Sequence, residues 1–220
     1  MYKKPSKCKI YLITPPRINK LSIFKQILQD ILPNPMIDVL QLRLKKENNI
    51  DPADPEEFLR IADHILPICE KNSVSLIIND YPDLVSKTGA NGVHVGVNND
   101  LLKDGYLSAI REQIGDDKII GASCYNLIDY AVEASRQSVN YVAFGAFYPT
   151  LNKPHTVKAN LSLLTEWQQK STIPSVAIGG LNQQNSRAVI ESGADYIALI
   201  SSIWDHKKGP RQAIKEFGNL

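Results

Sequence analysis

A chain of 220 residues, 43% hydrophobic and 22% charged, is long enough for one well-buried domain and short for two. Its formal charge of +2, with no basic block, excludes a nucleic-acid or anionic-membrane partner recruited by net charge. The three cysteines, Cys8, Cys69 and Cys124, lack CxxC spacing, which argues against a disulfide framework or a zinc site and for a reducing, cytoplasmic setting.

The chain opens with MYKKPSKCKIYLITPP. Its apolar run is short and broken by Thr14 and Pro15, so it does not read as a signal peptide, and no later run is long enough to span a bilayer. From there, short β-branched runs alternate with helix-like segments. KIYLITPP precedes LSIFKQILQDIL, whose apolar residues recur at helical spacing. IDVLQLRLK precedes PEEFLRIADHILPICEKN, which starts with Pro55 and acids, as helix first turns prefer. SLIIND leads to PDLVSKTGA, GVHVG to LLKDGYLSAIREQIG, and KIIGAS to LIDYAVEASRQS. YVAFGAFYPT leads to NLSLLTEWQQK, PSVAIGG to NQQNSRAVIESG, and DYIALISSI to PRQAIKEFG. KKGPR, just before the last helix, reads as solvated surface.

These are eight strand-then-helix units. Their strands are continuous apolar runs, as in a parallel sheet buried on both faces. The pattern predicts a single-domain α/β fold over residues 1–220, a closed (β/α)8 TIM barrel. The runner-up, an open doubly wound sheet, lacks its glycine-rich dinucleotide fingerprint after the first strand. The polar loop KKENNIDPAD is placed over the mouth of the barrel as its most mobile cover.

In such a barrel the active site lies at the C-terminal ends of the strands. Gln41, Arg43 and Lys45 alternate with Leu42 and Leu44 and so share one face. Two cations there suit an anion, with Arg43 as a bidentate clamp and Lys45 as a point charge, or else they snorkel to solvent. Asn79 and Asp80 end the third strand. They offer an amide for a phosphate oxygen and a carboxylate for Mg2+, or a capping pair for the next helix. Ser123 ends the fifth run without a Ser-His-Asp pattern, so it reads as a binding hydroxyl or a helix cap and not as a nucleophile. After the sixth run, Gly145 leaves room for a ligand, and Thr150, Asn152 and Lys153 offer a hydroxyl, an amide and a cation. Gly179 and Gly180 after the seventh run, with Ser201 after the eighth, occupy the usual barrel phosphate position. One cationic, metal-assisted anion site and one neutral cradle suit a diphosphate and a monophosphate. That combination implies group transfer with diphosphate as the leaving group.

Taken together, YLIT, LQLRLK, IND, GVHVG, GAS, FGAFYPTLNK, AIGG and ALISSI resemble the thiamine phosphate synthase (thiamine-phosphate pyrophosphorylase) family over nearly the whole chain. The resemblance implies a (β/α)8 barrel transferase of thiamine biosynthesis. Such an enzyme joins hydroxymethylpyrimidine diphosphate to a thiazole phosphate, with Mg2+, through a dissociative pyrimidine carbocation. It implies that Gln41, Arg43, Lys45, Asn79, Ser123 and Lys153 hold the diphosphate substrate, with Asp80 on the metal. It also implies that Thr150 and Asn152 lie near the thiazole phosphate, cradled by Gly180, Ile200 and Ser201. There are two departures. Asn152 stands where the family usually has a second threonine. The family's second metal-binding aspartate falls on Asn99, with Asp100 one residue later in an expected loop, where a one-residue shift is tolerable. His94 reads as a satisfied strand histidine and not as a ligand.

Two rival readings remain. A thiazole tautomerase of the same superfamily tends to carry a histidine after the GxS serine, where this chain has Cys124, Tyr125 and Asn126. A non-catalytic phosphate-binding barrel would have to tolerate Arg43, Lys45, Asp80 and Lys153 in one cavity without turnover. The implied partners are small phosphorylated molecules, and a homo-oligomer is left open.

Overall fold

The computed structural model describes residues 4–48, 51–150 and 157–218. Eight parallel strands close on themselves in chain order. They are β1 (Lys9–Ile13), β2 (Ile37–Leu42), β3 (Ser75–Asn79), β4 (Gly92–Gly96), β5 (Ile119–Tyr125), β6 (Tyr141–Phe144), β7 (Ser175–Ala177) and β8 (Tyr196–Leu199). Around them run α1 (Leu21–Ile31), α2 (Pro55–Lys71), α3 (Leu84–Thr88), α4 (Asn99–Lys103) and α5 (Tyr106–Ile114). The ring continues with α6 (Ile128–Arg136), α7 (Ser162–Lys170), α8 (Ser186–Glu191), α9 (Ser201–Trp204) and α10 (Pro210–Phe217). The predicted closed barrel is therefore observed.

The period-two rule divides the strand residues into two packings. Residues such as Ile10, Leu12, Leu40, Leu42, Leu76 and Ile78 face outward into a core shared with the helices. The alternate residues fill the barrel interior, where Tyr11, Ile13, Val39, Ile77, Tyr141, Ala143, Val176, Tyr196 and Ala198 form a second, smaller cluster. Both faces of each strand are thus apolar, which is why the runs carry no polar alternation.

The structure departs from the predicted elements in three places that bear on the mouth. The segment expected as one helix over residues 101–115 is two. Gly105, at φ +71°, breaks it between α4 and α5, and α4 begins already at Asn99. The fifth strand runs past Ser123 to Tyr125, with a register shift between them. The last strand stops at Leu199, and α9 starts at Ser201, inside what reads as one apolar run. After β2, the chain makes an isolated antiparallel bridge between Lys45 and Pro52. It is tied down where the Tyr81 hydroxyl donates to the Ala53 carbonyl at 3.0 Å. Among the described residues no helix is long and apolar enough to cross a membrane.

Candidate active site

A cavity of about 270 Å3 opens at the C-terminal ends of the strands. Its floor is the inner cluster, through Ile13, Ala143 and Ala198, and its wall is polar. Of the sequence-predicted residues, Gln41, Arg43, Lys45, Asn79, Asp80, Ser123, Thr150, Gly180, Ile200 and Ser201 all line it. Asn152 and Lys153 lie outside the described residues.

Arg43 and Lys45 extend the inward parity of Gln41 beyond the end of β2, while Leu42 and Leu44 are fully buried on the other face. The predicted cation pair is thus set by strand alternation. Burial pushes the Arg43 guanidinium below its ordinary value, and Asp80 pulls it back up. The clamp and its nearest carboxylate are electrostatically joined before any ligand arrives.

Asn79 and Asp80 are not a capping pair. Asn79 is the last residue of β3, and the N-cap of α3 is Asp83. The Gln41 amide donates to Asn79 Oδ1 at 2.6 Å, and Asn79 Nδ2 donates to Asp80 Oδ2 at 2.6 Å. Asp80 sits in the left-handed region at φ +66°, with its N–H donating to the His94 carbonyl at 2.9 Å. A non-glycine residue held there is strained, and these bonds hold it. The Asn79 amide is therefore used in part to aim Asp80, beyond any contact with phosphate.

Asn99 and Asp100 do not join Asp80 on the cavity wall. Both are exposed on the first turn of α4, which the Asn98 side chain caps by accepting from the Leu101 N–H at 2.9 Å. The expected loop is a helix, so a one-residue shift there swings a side chain by about 100° around the axis. Asp100 consequently does not occupy the place of Asn99. Among the described residues no group of three or more His, Cys, Asp or Glu could hold a metal ion.

Ser123 does not cap a helix, since the N-cap position of α6 falls on Leu127 and no side chain caps that helix. Its Oγ lies 2.8 Å from His94 Nε2, and His94 Nδ1 lies 2.9 Å from the Tyr141 hydroxyl. The predicted satisfied strand histidine is observed, but it satisfies itself on the cavity wall. Sequence reasoning missed this row, along with Tyr125, Ile13 and Ile178 in the lining. A tyrosine inside a buried apolar run, as at Tyr11 in mid-strand and Tyr141 at the start of β6, was the available signal, because a buried hydroxyl needs a partner.

On the far rim, the loop after β7 packs against the loop after β6. A Cβ on Gly180, at φ +62°, would lie 2.3 Å from the Pro149 carbonyl oxygen. The glycine pair therefore joins two loops as well as lining the cavity.

A closed parallel barrel whose mouth combines a cation clamp, an aimed carboxylate and a glycine-lined rim is built to hold a phosphorylated small molecule. A family profile described as thiamine monophosphate synthase matches residues 10–203. The thiamine-phosphate synthase of Hyphomonas neptunium is 36% identical over 96% of this chain and 93% of its own length. That of Rhodospirillum centenum is 34% identical, covering 97% of each chain. The structure of thiamine phosphate pyrophosphorylase from Pyrococcus furiosus superposes with a TM-score of 0.76 at 25% identity, covering 96% of this chain and 94% of that one. The chain belongs to the thiamine monophosphate synthase family.

Proposed function

We propose that this chain is a thiamine-phosphate synthase that joins hydroxymethylpyrimidine diphosphate to a thiazole phosphate, giving thiamine phosphate and diphosphate. The observation that carries this reading is the grouping of Arg43, Lys45 and Asp80 on one wall of a cavity whose other wall holds Gly179, Gly180 and Ser201. One wall suits a diphosphate and the other a monophosphate. The carbon–oxygen bond to diphosphate breaks with its electron pair leaving on oxygen, and the thiazole nitrogen then bonds to the pyrimidine methylene cation. No proton moves in that exchange, so no general base is needed, and direct capture by the thiazole nitrogen leaves no role for a covalent nucleophile of the protein. Arg43 and Lys45 stabilise the charge that accumulates on the departing group.

Mg2+ usually keeps several waters and binds through one or two carboxylates plus substrate phosphates. The donor set here fits that habit: one aimed carboxylate, Asp80, on the cavity wall beside a cation clamp. Asp80 would hold the ion together with the substrate's diphosphate oxygens. When bound, the ion would neutralise charge on the leaving group. Asn99 would contribute at most a neutral carbonyl oxygen.

The test is an assay of the purified protein with both substrates, with and without chelator. Thiamine phosphate and diphosphate should form one for one, and excess chelator should abolish both. Full activity in chelator would remove the metal from the reading. No product under any condition would remove the synthase.

A further inference from the structure

On the far rim, two loops continue the pairing of β6 and β7 beyond the last ladder residues. The Phe147 N–H donates to the Ile178 carbonyl at 3.1 Å, and the Tyr148 N–H donates to the Gly179 carbonyl at 3.0 Å. The next carbonyl, that of Gly180, takes a side-chain donor instead, Asn185 Nδ2 at 2.9 Å. Asn185 Oδ1 accepts from the Asn182 N–H at 2.9 Å, so the amide has one orientation, oxygen toward Asn182 and nitrogen toward Gly180. The Asn185 carbonyl also accepts from the Tyr148 hydroxyl at 3.3 Å. The turn that carries Asn185 has its own support, because Asn182 Oδ1 accepts from the Gln184 and Asn185 N–H groups at 2.9 and 3.1 Å.

A trans peptide sends its carbonyl and its N–H in opposite directions. A bond that holds the Gly180 carbonyl therefore also sets the direction of the Leu181 N–H. Gly180 and Leu181 line the cavity, whereas Asn182 and Asn185 do not. With its carbonyl held on the Asn185 side, the Gly180–Leu181 peptide turns its N–H toward the cavity. Among the described residues neither the Gly180 nor the Leu181 N–H donates to a protein acceptor. Glycine makes the fixing bond necessary. Gly179 at φ +104° and Gly180 at φ +62° use a freedom that only glycine has in full, and the same freedom lets a peptide plane flip. A flipped Gly180–Leu181 plane would put a carbonyl oxygen where the N–H stands, and that oxygen repels an anion.

We infer that Asn185 is a positioning residue that holds the Gly180–Leu181 peptide with its N–H toward the cavity, and so sets the affinity of this rim for a phosphate monoester. The inference rests on the reading of the glycine rim as the monophosphate site. Two variants separate this role from its alternatives. Asn185→Ala removes the donor and the Asn182 contact without adding charge. Asn185→Asp keeps an acceptor for the Asn182 N–H but sets a carboxylate oxygen against the Gly180 carbonyl. A residue that only braced the turn would fail as alanine and be rescued by aspartate. A charge effect alone would spare the alanine variant.

The probe is inorganic phosphate, titrated into protein carrying carbon-13 carbonyl glycine with nitrogen-15 glycine and leucine. The chain has a single Gly-Gly step and a single Gly-Leu step, so carbonyl-filtered NMR reads the Gly180 and Leu181 amides alone. In the parent both amides should shift as phosphate saturates the rim. In both variants the Kd for phosphate should rise about 10- to 100-fold, the loss expected for one charge-assisted hydrogen bond, with a urea melt showing that each is folded. With both substrates, KM for the thiazole phosphate should rise by a similar factor, while turnover number and KM for the pyrimidine diphosphate change by less than about twofold. No phosphate-dependent shift at these amides in the parent, an unchanged Kd in Asn185→Ala, or rescue by Asn185→Asp overturns the inference. If the parent forms no thiamine phosphate, the synthase reading has failed, and the phosphate titration still decides the role of Asn185.

Discussion

Gly121→Ala should be among the most damaging single-methyl changes in this barrel. The added Cβ would lie 1.9 Å from Tyr141 Cζ and 2.3 Å from its hydroxyl oxygen. Neither side can yield easily. Gly121 is paired to β4 through His94 and to β6 through Tyr141, and the Tyr141 ring lies between His94 and Tyr11 with 1% exposure. Overpacking of this kind costs about 1–3 kcal/mol. Displacing the ring also breaks its two hydroxyl contacts, at about 1 kcal/mol each. A total of about 3–5 kcal/mol is a large part of the ~5–15 kcal/mol that holds a domain together. Urea unfolding of the variant should therefore show a midpoint far below the parent, with turnover reduced in whatever fraction folds. Gly105→Ala is the control. Gly105 has nothing within 4 Å of the added Cβ but sits at φ +71°, so its cost is backbone strain alone. That should be about 1–2 kcal/mol with turnover unchanged. Gly121→Ala no more costly than Gly105→Ala would refute the packing argument.

Arg43→Met removes a largely desolvated charge while keeping the side chain's bulk. It should leave stability within about 1 kcal/mol of the parent. The KM for the diphosphate substrate should rise roughly 10- to 100-fold, the loss expected for one charge-assisted hydrogen bond. Steady-state kinetics beside a urea melt would separate the two effects, and a large loss of stability with unchanged KM would contradict the clamp. Burial pushes the Cys69 thiol from 9.0 up to about 12, helped by Glu70. The unfolded chain therefore releases that proton first, and stability should fall as pH rises from about 9 towards 12, by up to ~1.4 kcal/mol per pH unit. Urea midpoints between pH 8 and 10 should fall less steeply in Cys69→Ala, and an identical slope would count against the buried thiol. Asn99→Asp adds a carboxylate to the first turn of α4, which the helix dipole favours by about 0.3–1 kcal/mol. If position 99 reaches the bound ion, the variant should need less Mg2+ for half-maximal activity, while Asp100→Ala should leave the Mg2+ titration unchanged.

The barrel was legible because a parallel sheet covered by helices buries both faces of every strand, which makes runs such as Ile37–Leu42 and Ser75–Asn79 mostly apolar. An open doubly wound sheet makes the same demand, and it was the eight consecutive strand-helix units, with no glycine fingerprint after the first, that pointed to closure. The boundaries were less legible where two apolar elements abut. DYIALISSI carries no polar break between Leu199 and Ser201, so nothing in its composition separates strand from helix. The loop expected at Asn99 went wrong for a related reason. Its helix is five residues long, too short to show an apolar period, and its one clear signal is the capping side chain of Asn98.

The cation wall was readable because Gln41, Arg43 and Lys45 owe their shared face to alternation within one strand. The polar row was not, because its contacts are lateral. His94 and Ser123 are 29 residues apart, His94 and Tyr141 47, and Tyr11 and Tyr141 130. Contacts at those separations depend on the register of neighbouring strands, which is set when the barrel closes and leaves no periodic mark in the sequence. What does leave a mark is the space such a row requires. In the GAS motif the serine drew attention as a polar group at a strand end. The glycine two residues earlier is the residue that cannot change, because its missing side chain is where Tyr141 sits. A glycine in the middle of a strand costs stability in its own right, so its presence in a buried run is better explained by what approaches it than by the strand it weakens.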